Sequence, residues 1–551
     1  MSASSRNEAR ASSFLAYLAL VALAAGIFFR FYHLGWKIYG NDEATTSLRV
    51  AGYTLADYER EAFDGRTRSS GDLSIYQHVT AKRNAADTVR SLAVEDPQHP
   101  PLFYLLDRGW IEVFGNSVAA RRALSALIGV LVPLAGLWLC LELGSPAAGL
   151  VMLVLIAVSP FHLLFSQTAR EYELWALLIL ISSALLLRAM RSNTPVAWLY
   201  YTISVVLGLY ADVLFLYVLF GHALFAGVQW KLRPARSLVY FGIAALCALI
   251  AYVPWFYALF GRRNLLTNNS YLHTPLPVKL FALKWIFNTG AVFFDLDYKI
   301  VASAVLLIPI FAIVVWAVVE IARHATRQVL WFVAILTLTT ALAFVVPDLL
   351  HHESRSTAAR YLLPTWLGLE LAVSFALAPY FGARTSPASR IAAIGSLVLI
   401  FACGIVSNIV AAQAPAWWGD GPAAIAPIAR IINAADAPLV VFQEDPQQWD
   451  FSPVMLTNAL RPDVRFQLVP ASKVVDPVPN RGTTFLLDPS PALRSELARR
   501  NIALTPVYIE SGATRPDVAK MRAEADAARV RAGIVEAGPS LWTVSISSVH
   551  T

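Results

Sequence analysis

Two adjacent carboxylates, Asp42 and Glu43, follow shortly after the first apolar run of a chain dominated by such runs. A charge misplaced in hydrocarbon is costly, so acids at the mouth of a membrane span tend to line a cavity or serve a reaction. The reaction open to them is general-base catalysis. A hydroxyl is a poor nucleophile near neutral pH, and a positioned carboxylate can take its proton as attack proceeds. Asp42 is the expected base, with Glu43 beside it as a catalytic partner. The opposing reading, a solvated turn after a helix, loses ground through the residues that accompany the pair.

Those residues suit an anion. His99 precedes Pro100-Pro101, and proline is favoured at the first position of a helix, so His99 is expected at a helix start where free N–H groups and the macrodipole attract phosphate. Arg170 is expected at the outer mouth of the fourth apolar run, and Arg360-Tyr361 opens the tenth in the same layer. Arginine matches phosphate through its planar fork. Asp96, Glu171 and Tyr172 are the expected supporting residues, and snorkelling to lipid headgroups is the plainer role open to either arginine. His351, His352 and Glu353, with His273 and Glu43, are candidate ligands for a divalent metal ion.

The elements that must position these groups follow from composition. Of 551 residues 57% are hydrophobic and 15% charged, too apolar for a soluble domain. A bilayer core needs roughly 20 apolar residues as helix. Eleven such runs are expected at 13–32, 119–141, 146–166, 170–188, 196–210, 212–230, 237–260, 299–321, 328–347, 360–381 and 390–412. The fifth and sixth are separated only by Tyr210-Ala211-Asp212. Ala22-Leu23-Ala24 mimics a signal cleavage site, but it lies inside the first run, which argues against cleavage.

Arg6 and Arg10, Arg188 and Arg191, Lys231, Arg233 and Arg236, Arg323 and Arg327, and Arg384 and Arg390 fall on one side of these runs. By the positive-inside rule that side is cytoplasmic, so the net charge of +7 reflects topology rather than nucleic-acid binding. The expected architecture is a polytopic α-helical membrane domain, residues 1–412, followed by a non-cytoplasmic soluble α/β domain, residues 413–551. The membrane domain includes outer loop 36–118, in which 102–114 reads as an amphipathic interfacial helix: Leu105, Leu106, Trp110 and Phe114 on one face, Asp107, Arg108 and Glu112 away from it. Apolar runs at 439–442, 464–469 and 484–487 read as strands of the tail, with Glu444-Asp445-Pro446 at a strand end. Cys140, Cys247 and Cys403 lie in spans, so no disulfide framework is expected outside.

Asp42-Glu43 after the first span, His99-Pro100-Pro101-Leu102-Phe103-Tyr104 before the second and Gln167-Thr168-Ala169-Arg170-Glu171-Tyr172 before the fourth resemble bacterial relatives of protein O-mannosyltransferases and lipid A aminoarabinose transferases. The resemblance covers roughly residues 13–412 in layout. It implies a GT-C fold in the inner membrane and transfer of a sugar from a polyprenyl-phosphate donor to an acceptor, whether protein, lipid or polysaccharide, on the non-cytoplasmic face. It also implies Asp42 as the catalytic acid residue, whereas His99 departs from the lysine that aminoarabinose transferases carry before the double proline. Two other classes compete: a lipid transporter or flippase, and a scaffold that presents the tail. Against transport stands the expectation that the mid-membrane is nearly free of acids, since transporters hold their sites near the midplane.

Overall fold

The structure is a computed structural model that describes residues 3–229, 235–262, 275–297, 300–382, 385–417, 422–444, 452–473, 475, 482–509 and 540–546. The chain divides into two compact units. One comprises Met1–Leu34, Pro97–Phe103 and Arg122–Ala414; the other comprises Gly35–Asp96, Tyr104–Arg121 and Pro415–Thr551.

The first unit is helical, and each of the eleven apolar runs has a helical counterpart. Among the described residues eight helices are long and apolar enough to cross a membrane: Ala11–Phe31, Val118–Glu142, Tyr172–Ser192, Arg236–Gly261, Val305–His324, Arg327–His351, Ala359–Phe381 and Pro387–Gln413. The helix that begins at Ala3 runs unbroken through Ala22-Leu23-Ala24 to Phe31. Run 146–166 is a bent pair, Pro146–Val158 and Pro160–Ser166, meeting at 58°. Runs 196–210 and 212–230 are the shorter helices Pro195–Ala211 and Phe215–Gln229. At 17 and 15 residues they fall short of the roughly 20 that a straight crossing requires.

Proline explains the bend. Pro160 has no N–H to return to the Ile156 carbonyl four residues back, so the last carbonyls of the preceding helix need other donors. Arg30 supplies two of them, from Nη2 to Ile156 O at 3.2 Å and from Nη1 to Ala157 O at 2.9 Å. Asn408 Nδ2 donates to Val158 O at 3.1 Å. The flanking helices come close enough because they present glycine. A Cβ on Gly26 would lie 2.4 Å from Ala157 O, and one on Gly404 would lie 2.6 Å from Val158 O.

The second unit is built on a six-stranded mixed sheet of β1 (Thr67–Ser69), β2 (Leu439–Gln443), β3 (Arg465–Val469), β4 (Thr484–Leu487), β5 (Ile502–Ile509) and β6 (Ser540–Ile546), in the order β1-β3-β2-β4-β6-β5. Central strand β2 is parallel to both β3 and β4. Its unbroken apolar run is explained by burial on both faces. Val440 and Phe442 join one core with Phe466, Phe485 and the outer-loop residues Leu48, Tyr58 and Tyr76, while Leu439 and Val441 join a second core with Leu493 and Leu497. The three strands expected in the tail are thus present, and Asp445 and Pro446 lie outside the described residues. The sequence reading assigned outer loop 36–118 to the membrane domain. The structure instead gives most of it to the sheet-bearing unit, where β1 pairs antiparallel with β3. Nothing in local periodicity signals that contact, because a three-residue strand has almost no pattern.

The expected helix 102–114 forms as Leu102–Phe114, and its faces have a clear division. Leu106, Val113 and Phe114 are exposed, whereas Asp107 and Arg108 are buried. Arg108 Nη1 donates to Val50 O at 2.9 Å and its Nε pairs with Glu112 at 3.1 Å. The apolar face is therefore the outward one, which suits a helix at a membrane interface. Asp107 is 1% exposed. Burial pushes its carboxyl up to about 7, with Arg121 pulling down and Glu43 adding to the rise.

Two measurements test these points. Gly404→Ala puts a methyl carbon against a main-chain oxygen and is expected to cost about 1–3 kcal/mol, lowering the melting temperature of the purified protein. Gly395→Ala on the same helix meets nothing within 4 Å and should be neutral, so equal melts for the two would refute the close-approach account. For Asp107, a folded pKa above the unfolded value of roughly 3.9 means that its stabilising share is complete below about pH 4 and lost as pH rises to about 7. Asp107→Asn is accordingly expected to gain stability over the wild type between pH 5 and pH 8. A melting-temperature difference that stayed constant over that interval would exclude Asp107 as the titrating group.

Candidate functional site

In the first unit two of the expected anion-binding residues, His99 and Arg170, meet at a break between helices. Residues 167–171 separate the Pro160–Ser166 and Tyr172–Ser192 helices, and Arg170 stands in that break. The break is held from three sides. Gln167 Nε2 donates to the carbonyls of Phe29 at 2.7 Å and Tyr32 at 3.0 Å, Ser125 Oγ donates to Arg170 O at 3.3 Å, and Arg30 Nε donates to Ser166 Oγ at 3.1 Å. Arg170 Nη2 donates to His99 Nε2 at 2.9 Å and pairs with Glu171 Oε1 at 3.2 Å. A guanidinium cannot accept, so His99 takes this bond through a lone pair and is neutral in the arrangement. Arg170 and Glu171 are buried; the His99 side chain, 23% exposed, is the solvent-facing member.

His99 stands three residues before the following helix, which starts at Leu102, and its imidazole meets Arg170. Trp255 Nε1 fixes the segment before it through Pro97 O at 2.9 Å. Asp212, which the sequence showed only as a separator between two runs, accepts from Leu214 N at 2.7 Å and lies within electrostatic reach of Glu171, His99 and Arg170.

Arg360 sits on a structured platform. Asp348 accepts from the amides of Arg355 at 3.1 Å and Ser356 at 2.6 Å. Trp285 Nε1 donates to Ser356 Oγ at 3.1 Å, Asn288 Nδ2 to Thr357 O at 2.8 Å and Trp366 Nε1 to Ala359 O at 2.8 Å. The guanidinium of Arg360 lies 5.3 Å from the Tyr361 ring centroid, and Tyr361 stacks on Phe344 at 5.7 Å. Arg170 sits similarly, 5.5 Å from the Tyr172 ring. A ring under a guanidinium supports its plane while leaving the fork edges for an anion.

In the second unit Asp42 and Glu43 occupy the first turn of the Asn41–Val50 helix. Glu43 is 4% exposed and its Oε2 accepts from the Gly40 amide at 3.2 Å, so this carboxylate serves the helix start. Asp42 is half-buried. The helix is braced by Arg121, a fully buried residue that the sequence reading passed over: its Nη1 donates to Ser47 Oγ at 3.1 Å and its guanidinium lies 5.4 Å from the Tyr39 ring centroid. Burial and Arg121 together push His78 down to about 4, so it is neutral at physiological pH. Asp96 faces Arg49 Nε at 4.0 Å, beside a 2.6 Å pair between Arg49 and Glu95.

The metal candidates do not assemble. Among the described residues no three His, Cys, Asp or Glu side chains converge in a way that could hold an ion. His351 and His352 are exposed, Glu353 pairs with Arg355 at 2.9 Å, and His273 lies outside the described residues. The expectation that the mid-membrane is nearly free of acids meets an exception in Glu370. Glu370, midway along Ala359–Phe381, and Glu173, at the start of Tyr172–Ser192, are fully buried against His162. Single acids inside apolar runs were the available signal, and each takes meaning only from a partner far away in sequence.

No protein-family model and no curated protein matches the sequence. Solved structures do resemble it. ArnT from Cupriavidus metallidurans, in the apo state and bound to undecaprenyl phosphate, matches with a TM-score of 0.55 at 13% identity, over 98% of this chain and 99% of that one. The oligosaccharyltransferase AglB from Archaeoglobus fulgidus, in complex with an inhibitory peptide and a dolichol-phosphate, gives a TM-score of 0.43 at 12% identity over 83% of this chain and 64% of that one. The chain therefore has the fold of ArnT over almost its whole length, which is the GT-C fold that its motifs imply.

Proposed function

We propose that this chain is an integral-membrane glycosyltransferase that moves a sugar from a polyprenyl-phosphate donor to an acceptor hydroxyl on the non-cytoplasmic face. The observation that carries this reading is the buried Arg170 guanidinium held against the partly exposed His99, on a fold shared with a protein crystallised with undecaprenyl phosphate. Fold alone does not decide chemistry, and the arginine is what an anionic head requires. A phosphate that entered past the imidazole would accept from the guanidinium in its place. Arg360 on its Tyr361 support is the second cation assigned to the donor.

Asp42 is assigned as the base because Glu43 already serves the Gly40 amide. As the acceptor oxygen bonds to the anomeric carbon, its proton passes to the Asp42 carboxylate. The bond from that carbon to the phosphate oxygen breaks, and the oxygen leaves with the electron pair as an anion that the arginines stabilise. One displacement inverts the anomeric centre. Lipid transport is the second reading, favoured by the buried His162, Glu173 and Glu370 cluster within the spans.

Asp42→Asn keeps the side-chain shape and removes its basicity, so turnover with a short-chain polyprenyl-phosphate sugar should fall roughly 100- to 10,000-fold while donor binding survives. Glu43→Gln should do less harm. Near-native turnover in Asp42→Asn would refute the base assignment, and lipid movement that persisted without any sugar transfer would favour transport. Arg170→Ala and Arg360→Ala each remove a charge-assisted contact of about 1.5–3 kcal/mol, and lysine should rescue them only in part. Unchanged donor dependence in both alanine variants would return the two arginines to the role of headgroup anchors.

A further inference from the structure

We infer that His162 is a positioning residue for the donor site, acting through a clasp that closes across the helix break in which Arg170 stands; this rests on the donor-phosphate reading of Arg170. The imidazole joins three helices. Nδ1 faces Glu173 Oε1 at 3.1 Å and Nε2 faces Glu370 Oε2 at 3.3 Å, with all three side chains fully buried. His162 lies on Pro160–Ser166 and Glu173 on Tyr172–Ser192, so the first contact ties together the two flanks of the segment 167–171. The second contact reaches Leu363–Leu377, the helix that follows directly on the turn Ala359–Leu362 bearing Arg360. One ring thus links the elements that carry both arginines of the proposed donor site.

The charge pattern supports a clasp rather than filler. Ionised carboxylates only accept, so both ring nitrogens must donate and the ring is an imidazolium when Glu173 and Glu370 are both ionised. Arg30 lies within electrostatic reach of both carboxylates, giving two cations against two anions. Arg30 also donates to Ser166 Oγ at the edge of the break. A well-packed apolar replacement of such a buried ionic group is often as stable as the original, so stability by itself gives little reason for it. A fixed register does. The clasp adds a tie between the two flanks of the segment that presents Arg170, beside the bonds made by Gln167 and Ser125.

The double variant His162→Phe with Glu173→Leu tests this, because it deletes the clasp and leaves Glu370 opposite Arg30, preserving charge balance. The full-length protein in lipid nanodiscs is titrated with a fluorescent short-chain polyprenyl phosphate, with melting temperature measured alongside. Affinity should fall roughly tenfold while the melting temperature stays near that of the wild type, and Glu173→Gln, whose carbonyl oxygen still accepts from His162, should retain most of the binding. Wild-type affinity in a folded double variant would overturn the inference. If the double variant does not fold, Glu173→Asp decides: it keeps the charge but shortens the arm, so reduced affinity supports the clasp and unchanged affinity overturns it. Arg170→Ala is the control. If it binds the lipid as the wild type does, the donor-phosphate reading itself fails, and that failure is distinct from failure of the clasp alone.

Discussion

A membrane core offers no water to an unpaired carbonyl, and this constraint organises the helical unit around one kink. Pro160 cannot donate, so the end of the Pro146–Val158 helix must find donors elsewhere, and Arg30 and Asn408 meet that need from two other helices. A guanidinium fully buried in an apolar helix is expensive unless its hydrogen bonds are met. Here the exposed carbonyls and the buried cation satisfy each other. Gly26 and Gly404 let the helices approach to the distance that this exchange requires.

From that kink the arrangement propagates to the break that carries Arg170. Pro160 starts a short helix whose His162 meets Glu173 and Glu370, and whose end leads into the break that carries Arg170. The break is non-helical backbone; Ser125 satisfies its Arg170 carbonyl, and Gln167 ties it to the Phe29 and Tyr32 carbonyls. Arg170 itself is held by His99 and Glu171, so the donor phosphate proposed above would meet a preorganised cation.

The sheet-bearing unit solves a different problem. Its central strand β2 is apolar and buried on both faces, so each face needs a cover. The Pro491–Arg499 helix contributes Leu493 and Leu497 to one side, and on the other the first outer loop supplies Leu48, Tyr58 and Tyr76. The helix that bears Asp42 is therefore part of a packed core through Ala44 and Leu48, and Arg121 braces its buried face through Ser47. The Asp42 carboxylate, proposed above as the base, stands at the first turn of a helix so anchored.

The sequence by itself determined the helix positions, because a run of apolar residues with few charges has one stable form in a bilayer. It also indicated three of the tail's strands, at 439–442, 464–469 and 484–487, and the helix at 102–114, all of which depend on residues close along the chain. Tertiary structure alone decided the rest. That His99 meets Arg170, that β1 joins a sheet nearly four hundred residues on, and that Glu370 meets His162 are contacts between distant residues. Local periodicity carries no information about such partners. A lone buried charge in a sequence says that a partner must exist, since desolvation demands one, but only the packed fold supplies it.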